Sequence, residues 1–165
     1  MLDPELRKEI IMEHYLNPLN RNSIEDKKYI KVNSNSETCI DNIDLYVLFD
    51  DNKIKDIHFN GEACAISTSA TSIMIKLLIG KEISEVKEIM NNYYNMINEK
   101  EYNEDLLEEA CCYEDIYKQQ NRIGCATIPW KGLEKAIKEY EESHKWFFFL
   151  NKNIFNNHNN IRKGW

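Results

Sequence analysis

Apolar residues recur along the chain with changing period, and each change marks a new element. Leu6, Ile10, Ile11 and Tyr15 share one helical face behind Asp3-Pro4, a capping residue followed by the proline favoured in a first helical turn. Asn17-Pro18 ends that helix, because proline disfavours helical backbone in the residue before it. Residues 19–28 read as a polar connection. The period then becomes two. Ile43, Leu45, Val47 and Phe49 alternate with Asp44, Tyr46, Leu48 and Asp50, the pattern of a half-buried strand. Asp50-Asp51-Asn52 is turn chemistry. Ile54, Ile57 and Phe59 suit a strand returning on the first, and Tyr29 to Val32 a third, with Gly61 closing the meander.

After Cys64 the helical period returns. Ile66, Ala70, Ile73, Met74, Leu77 and Leu78 form one apolar stripe, closed by Gly80. Ser84 is positioned to cap a further helix carrying Val86, Ile89, Met90, Tyr93 and Ile97. Residues 98–121 hold eight acidic residues against two lysines and read as a short helix plus a solvated loop. A last helix carries Leu133, Ala136, Ile137, Tyr140, His144 and Phe147, and Trp146–Phe149 reads as packing at its end. The Asn-rich segment 148–165 has no period and is expected to be a disordered tail. The fold class that follows is α+β: a three-stranded antiparallel sheet with helices packed on one face. One domain spans residues 1–147.

Composition narrows the function. Hydrophobic residues make up 42% and charged residues 30% of the 165, which is ordinary for a globular domain. The net charge of −7 disfavours nucleic acid and anionic membranes as partners. The first residues lack a basic and apolar leader, and no apolar run approaches the roughly 20 residues of a membrane helix. A cytoplasmic location is expected. In a reducing compartment the five cysteines, Cys39, Cys64, Cys111, Cys112 and Cys125, point to metal or thiol chemistry rather than to disulfides.

Three of these cysteines fall where predicted elements begin or end. Cys39 and Asp41 are two positions apart on an extended segment and so point the same way. Cys64 sits where a strand meets a helix start, where free backbone N–H groups favour a thiolate. Cys125 lies just before another predicted helix. Three thiolates and a carboxylate would make a tetrahedral zinc site at one end of the fold. The spacing also permits separately buried cysteines.

Several motifs, in order, sharpen this reading. Tyr15-Leu16-Asn17-Pro18-Leu19-Asn20-Arg21 is similar to a helix ending in an NP-x-N-R-like turn. Cys39-Ile40-Asp41 resembles CGD. Gly61-Glu62-Ala63-Cys64-Ala65-Ile66-Ser67 resembles GxGCAIS, and Arg122 to Trp130 resembles RxxCATLxW. Together they resemble the SufU branch of the IscU/NifU-N-type scaffold family, from about residue 3 to residue 140. Residues 98–121 match the SufU-type insertion, and Gly124 stands where IscU-type members carry a histidine.

The resemblance implies a protein of iron–sulfur cluster assembly. Its implied metal ligands are Cys39, Asp41, Cys64 and Cys125, holding Zn²⁺ or, alternatively, iron or a transient [2Fe–2S] cluster. It implies a pyridoxal-phosphate-dependent cysteine desulfurase of SufS type as sulfur donor, with downstream cluster-assembly proteins as recipients. Cys39 is the implied sulfur acceptor. The alternatives are a scaffold building the cluster on the same ligands, or a zinc-stabilised partner-binding module. Arg122 is a candidate to offset the negative charge of the site, or else a solvent-facing or partner-binding arginine. Ile40 and Ala63 replace glycines of the family pattern. A branched residue in left-handed backbone would be strained, so the geometry of the site turns on the backbone these two positions adopt. Cys111 and Cys112 match no ligand position and read as incidental to the insertion. The histidines read as structural.

Overall fold

The computed structural model describes the backbone of residues 1–161 and the side chains of residues 1–146. Its sheet has the order β1-β2-β3, all antiparallel, from β1 (Ile30–Ser36), β2 (Cys39–Asp50) and β3 (Lys53–Glu62). Asp51 and Asn52 turn β2 into β3 with φ of 49° and 59°. Two positive φ values match the right-handed twist of the strands they join, and Asp and Asn tolerate them best after glycine. Along β2 the alternation is kept: Asp41, Ile43, Leu45 and Val47 are buried, while Ile40 and Asn42 face solvent. The carboxylate of Asp41 therefore lies on the core face of the sheet, in phase with its aliphatic residues.

Helix α1 (Pro4–Leu16) starts as its sequence implies, with Asp3 accepting from Glu5 N and proline in the first turn. It packs on α2 (Ala65–Leu78), which in turn packs on β3 and on α5 (Gln120–Ile161). Helix α5 lies across β1 and β2. The core closes between sheet and helices, and Trp130 stacks on Tyr93 at 4.3 Å between ring centroids.

Three expectations need correction. A single apolar stripe was expected on α2, but eleven of its fourteen residues are buried, including Ser67, Thr68, Ser69, Thr71 and Ser72. The helix is central, with α1 and the insertion covering what would be its polar face. Its hydroxyls are satisfied inside: Ser72 Oγ accepts from Leu19 N and meets His14 Nδ1 at 2.7 Å, and Thr71 donates to Ser67 O.

Helix α3 (Ile83–Ile97) begins one turn-position before the serine expected to cap it, and Glu82 makes no side-chain cap. The hairpin takes that role instead, because Ile83 N donates to the Asn52 carbonyl at 2.8 Å.

The insertion is not a solvated excursion. Leu107, Ala110, Cys111, Cys112, Tyr113 and Ile116 join the core through α4 (Glu104–Leu107) and the 3-10 turns Glu108–Tyr113 and Ile116–Lys118. Its carboxylates are tethers. Arg7 pairs with Glu114 and Asp115 at 2.9 and 2.6 Å, and Lys76 with Glu109 at 2.9 Å. An acidic composition was misleading because the matching cations lie far away in sequence, on α1 and α2.

Helix α5 runs through Ile161. No glycine or proline stands between Gly132 and Gly164 to break it. Residues 162–165, and the side chains of Phe147 to Phe149, lie outside the described residues.

Candidate metal centre

The four residues come from three elements and meet at one end of the sheet. Cys39 opens β2, and Asp41, two residues on, shares its face. Cys64 is the N-cap of α2, with φ −71° and ψ 177°, and its Sγ accepts from Ser67 N at 3.5 Å. Cys125 was expected just before a helix but lies in the second turn of α5, which starts at Gln120. Gly124 and Pro129 obscured that helix in the sequence. Pro129 lacks the N–H that would bond the Cys125 carbonyl, yet α5 continues past it.

One ligand atom from each of Cys39, Asp41, Cys64 and Cys125 lies within 4.8 Å of every other. The Cys39 and Cys125 sulfurs are 3.2 Å apart. A tetrahedral zinc with Zn–S bonds of about 2.3 Å separates its sulfurs by roughly 3.8 Å. The donor set therefore fits a four-coordinate zinc with displacements of an ångström or less, and thiolates equally suit iron. Cys111 and Cys112 are not in this group. Burial first, then neighbouring acidic groups, push the Cys111 thiol up to about 11, and burial pushes Cys112 higher still. Both behave as core residues.

Asp41 is 2% exposed. Burial opposes its charge, but hydrogen bonds from Cys39, Cys64 and Ser67 outweigh it and hold its pKa below the ordinary carboxylate value. Cys64 N reaches Asp41 Oδ1 at 3.0 Å and Ser67 Oγ reaches Oδ2 at 2.8 Å. In the metal-free site, burial and the adjoining Cys39 and Cys64 thiols raise the Cys125 pKa. A cation there reverses that tendency, since coordination favours the thiolate.

Cys39, Asp41 and Cys64 line a cavity of about 680 Å³ together with Arg21, Ile40 and Arg122, while Cys125 lies buried behind them. Arg122 is exposed there, and its guanidinium forms no ion pair among the described residues. Arg21 did not emerge as a site residue from spacing. It lies over the Phe59 ring at 5.7 Å and donates to Gly61 O at 3.3 Å. Its signal was the NP-x-N-R-like turn: Asn20, at φ 52°, bonds Ile57 O and accepts from Phe59 N, docking the turn on β3.

The residues that replace the family glycines, Ile40 and Ala63, introduce no left-handed strain. Neither has positive φ, and Ile40 is 88% exposed. The glycine that the site requires is Gly61, at φ 125°, where a Cβ would stand 2.3 Å from Asn42 O. The histidines are structural: His14 bonds Ser72 and Glu109, His58 bonds Asn22 and Asp56, and His144 packs on Tyr140. The side chain of His158 lies outside the described residues.

Residues 6–146 match the NifU-like N terminal domain. The chain belongs to this family. It is 34% identical over 137 residues to the zinc-dependent sulfurtransferase SufU of Bacillus subtilis (strain 168), covering 82% of this chain and 92% of that protein. It is 32% identical over 130 residues to the iron-sulfur cluster assembly scaffold protein IscU of Streptococcus pyogenes serotype M1, covering 78% and 80%. Its fold is similar to the crystal structure of FiSufU from Fervidobacterium islandicum AW-1. The TM-score is 0.71 with 37% identity, covering 78% of this chain and 93% of that one. Among the described residues no helix is long and apolar enough to cross a membrane.

Proposed function

We propose that this NifU-like domain is a zinc-dependent sulfur carrier of iron–sulfur cluster assembly, taking sulfur from a pyridoxal-phosphate cysteine desulfurase. The observation that carries the reading is the convergence of three thiols and one carboxylate at a cavity open to a partner. Zinc, when bound by Cys39, Asp41, Cys64 and Cys125, keeps the thiols deprotonated at neutral pH.

The protein's own residues do the rest. Cys125 is buried in α5, and Cys39 and Cys64 are both partly exposed at the cavity, but Cys64 is held by the start of α2 whereas Cys39 sits at a strand end. Cys39 is therefore the acceptor. Its thiolate attacks the outer sulfur of the donor's persulfide. A new S–S bond forms to Cys39, the donor's S–S bond breaks, and the donor leaves as a thiolate. Three thiolates, one carboxylate and a divalent cation leave the site anionic. Arg122, without a carboxylate partner among the described residues, offsets that charge and favours the approach of the anionic persulfide. The recipients are downstream cluster-assembly proteins in the reducing cytoplasm, where the five thiols stay free.

A scaffold that builds a [2Fe–2S] cluster on the same ligands is the second reading, favoured by the likeness to IscU of Streptococcus pyogenes. Against it stands Gly124 in the IscU-type histidine position. A Cβ there would lie 2.8 Å from Ser36 Oγ and 3.0 Å from Thr38 Oγ1, so a side chain at this position would require those two hydroxyls to turn away.

Elemental analysis of the purified chain, alongside desulfurase turnover with and without it, tests the proposal. Tightly bound zinc and a turnover stimulated only when Cys39 is present are expected. Iron with acid-labile sulfide would replace the carrier by the scaffold. Stimulation surviving Cys39→Ala would leave only a partner-binding module.

A further inference from the structure

We propose that Ser67 is a positioning residue that preassembles half of the metal site by tying Asp41 to Cys64; this rests on the ligand set proposed above. Ser67 is fully buried at the third position of α2. It offers two donors to two ligands from two different elements. Its backbone N–H points to Cys64 Sγ at 3.5 Å, and its hydroxyl to Asp41 Oδ2 at 2.8 Å. The hydroxyl also lies 3.3 Å from Cys64 O and 3.6 Å from Cys64 Sγ. It has one proton, and the carboxylate is both the nearest and the strongest acceptor.

The other Asp41 oxygen accepts from Cys64 N at 3.0 Å. Both oxygens are thus oriented by the first turn of α2, each keeping a lone pair free for a cation. Without these bonds a carboxylate on β2 could rotate about its side-chain torsions. With them, Asp41 and Cys64 stand in ligating positions before any ion arrives.

The other pair is held differently. Cys125 Sγ meets Cys39 Sγ at 3.2 Å and, weakly, Asn121 O at 4.0 Å, and among the described residues neither sulfur accepts from a backbone N–H. Asp41 and Cys64 are thus fixed by backbone and hydroxyl donors that Cys39 and Cys125 lack. A bound ion would have its firmest ligands in Asp41 and Cys64, and Cys39 would be the thiol freer to react. Groups that orient metal ligands are worth about 10- to 100-fold in affinity, and Ser67 belongs in that range.

Zinc affinity of the full chain, measured by competition with a chromophoric chelator, tests this in a cycle of Ser67→Ala, Asp41→Ala and the double variant. Ser67→Ala is expected to weaken binding by about 10- to 100-fold. In the Asp41→Ala background the same change should weaken it much less, because Ser67 acts through that carboxylate. Equal losses in both backgrounds, or no loss in the single variant, overturn the inference. A helix-capping role alone would lower the melting temperature without this coupling. The unsubstituted chain supplies a second measurement if Ser67→Ala does not fold. The Ser67 hydroxyl proton should be visible by NMR as a slowly exchanging resonance close to Asp41, with and without zinc. Fast exchange in both forms overturns the inference. A wild-type chain that binds no zinc would defeat the proposed function itself, whereas zinc binding indifferent to Ser67 would defeat only this step.

Discussion

The Sγ atoms of Cys39 and Cys125 lie 3.2 Å apart although 86 positions separate them in the chain. One opens β2 and the other rides on α5, so their contact depends on how α5 crosses the β1–β2 pair. Packing of that helix on the sheet therefore also assembles the candidate metal site.

The first prediction concerns the carboxylate. Asp41→Ala removes the only non-sulfur donor and leaves the hydroxyl of Ser67 and the N–H of Cys64 facing a void. Zinc content after dialysis against a chelator should fall well below that of the wild type, with the far-ultraviolet circular dichroism unchanged. Retention of zinc at the wild-type level would show that Asp41 is not a ligand.

Ile40→Gly should leave zinc content unchanged. The Ile40 side chain is 88% exposed and its φ is not positive, so glycine relieves no strain and breaks no packing. Elemental analysis of the variant checks this. Gly61→Ala should behave in the opposite way. Its Cβ would meet Asn42 O at 2.3 Å, one residue from Asp41, and the strand must shift. A loss of about 1–3 kcal/mol in chemical unfolding, together with weaker zinc binding, is expected.

Cys112→Ser separates core cysteines from ligands. Cys112 is buried in the insertion and outside the metal group. A hydroxyl at that site without a partner should cost about 1–3 kcal/mol of stability, read from urea unfolding. Zinc stoichiometry and Cys39-dependent sulfur transfer should be unaffected.

The tethers of the insertion predict an acid transition. Burial would raise the Glu109 pKa, but Lys76 and His14 outweigh it and hold it below its ordinary 4.5. Hydrogen bonds from Lys118 and Arg7 hold Asp115 below its ordinary 3.8. A depressed folded-state pKa stabilises fully above the ordinary value, and that contribution is lost as pH falls through the folded one. The insertion should loosen below about pH 4, seen as earlier hydrogen exchange around Ala110 to Tyr113 than in the sheet. Arg7→Ala should bring the same loosening to neutral pH. It removes the cation paired with Glu114, whose side chain is only 9% exposed and keeps the Tyr102 hydroxyl as its donor, at a cost of about 3 kcal/mol.

Much of the architecture was legible in the sequence because period is local. The alternation from Ile43 to Phe49 carries its own strand, and the cap at Asp3-Pro4 its own helix. The motifs around Cys39, Cys64 and Cys125 marked the ligand candidates through family resemblance. Spacing could pair only Cys39 with Asp41, since two positions on a strand share a face whatever the rest of the chain does.

The amino-acid sequence by itself determined the elements, their order and the residues capable of holding a cation. Tertiary structure decided the rest. It buried the acidic insertion, because Arg7 and Lys76 that neutralise it come from other helices. It replaced the expected cap of α3 by the Asn52 carbonyl, and it freed Ile40 of strain by leaving its backbone extended. It also placed Ser67 between Asp41 and Cys64. Each of these depends on groups far apart in sequence meeting in space, and no local period encodes such a meeting.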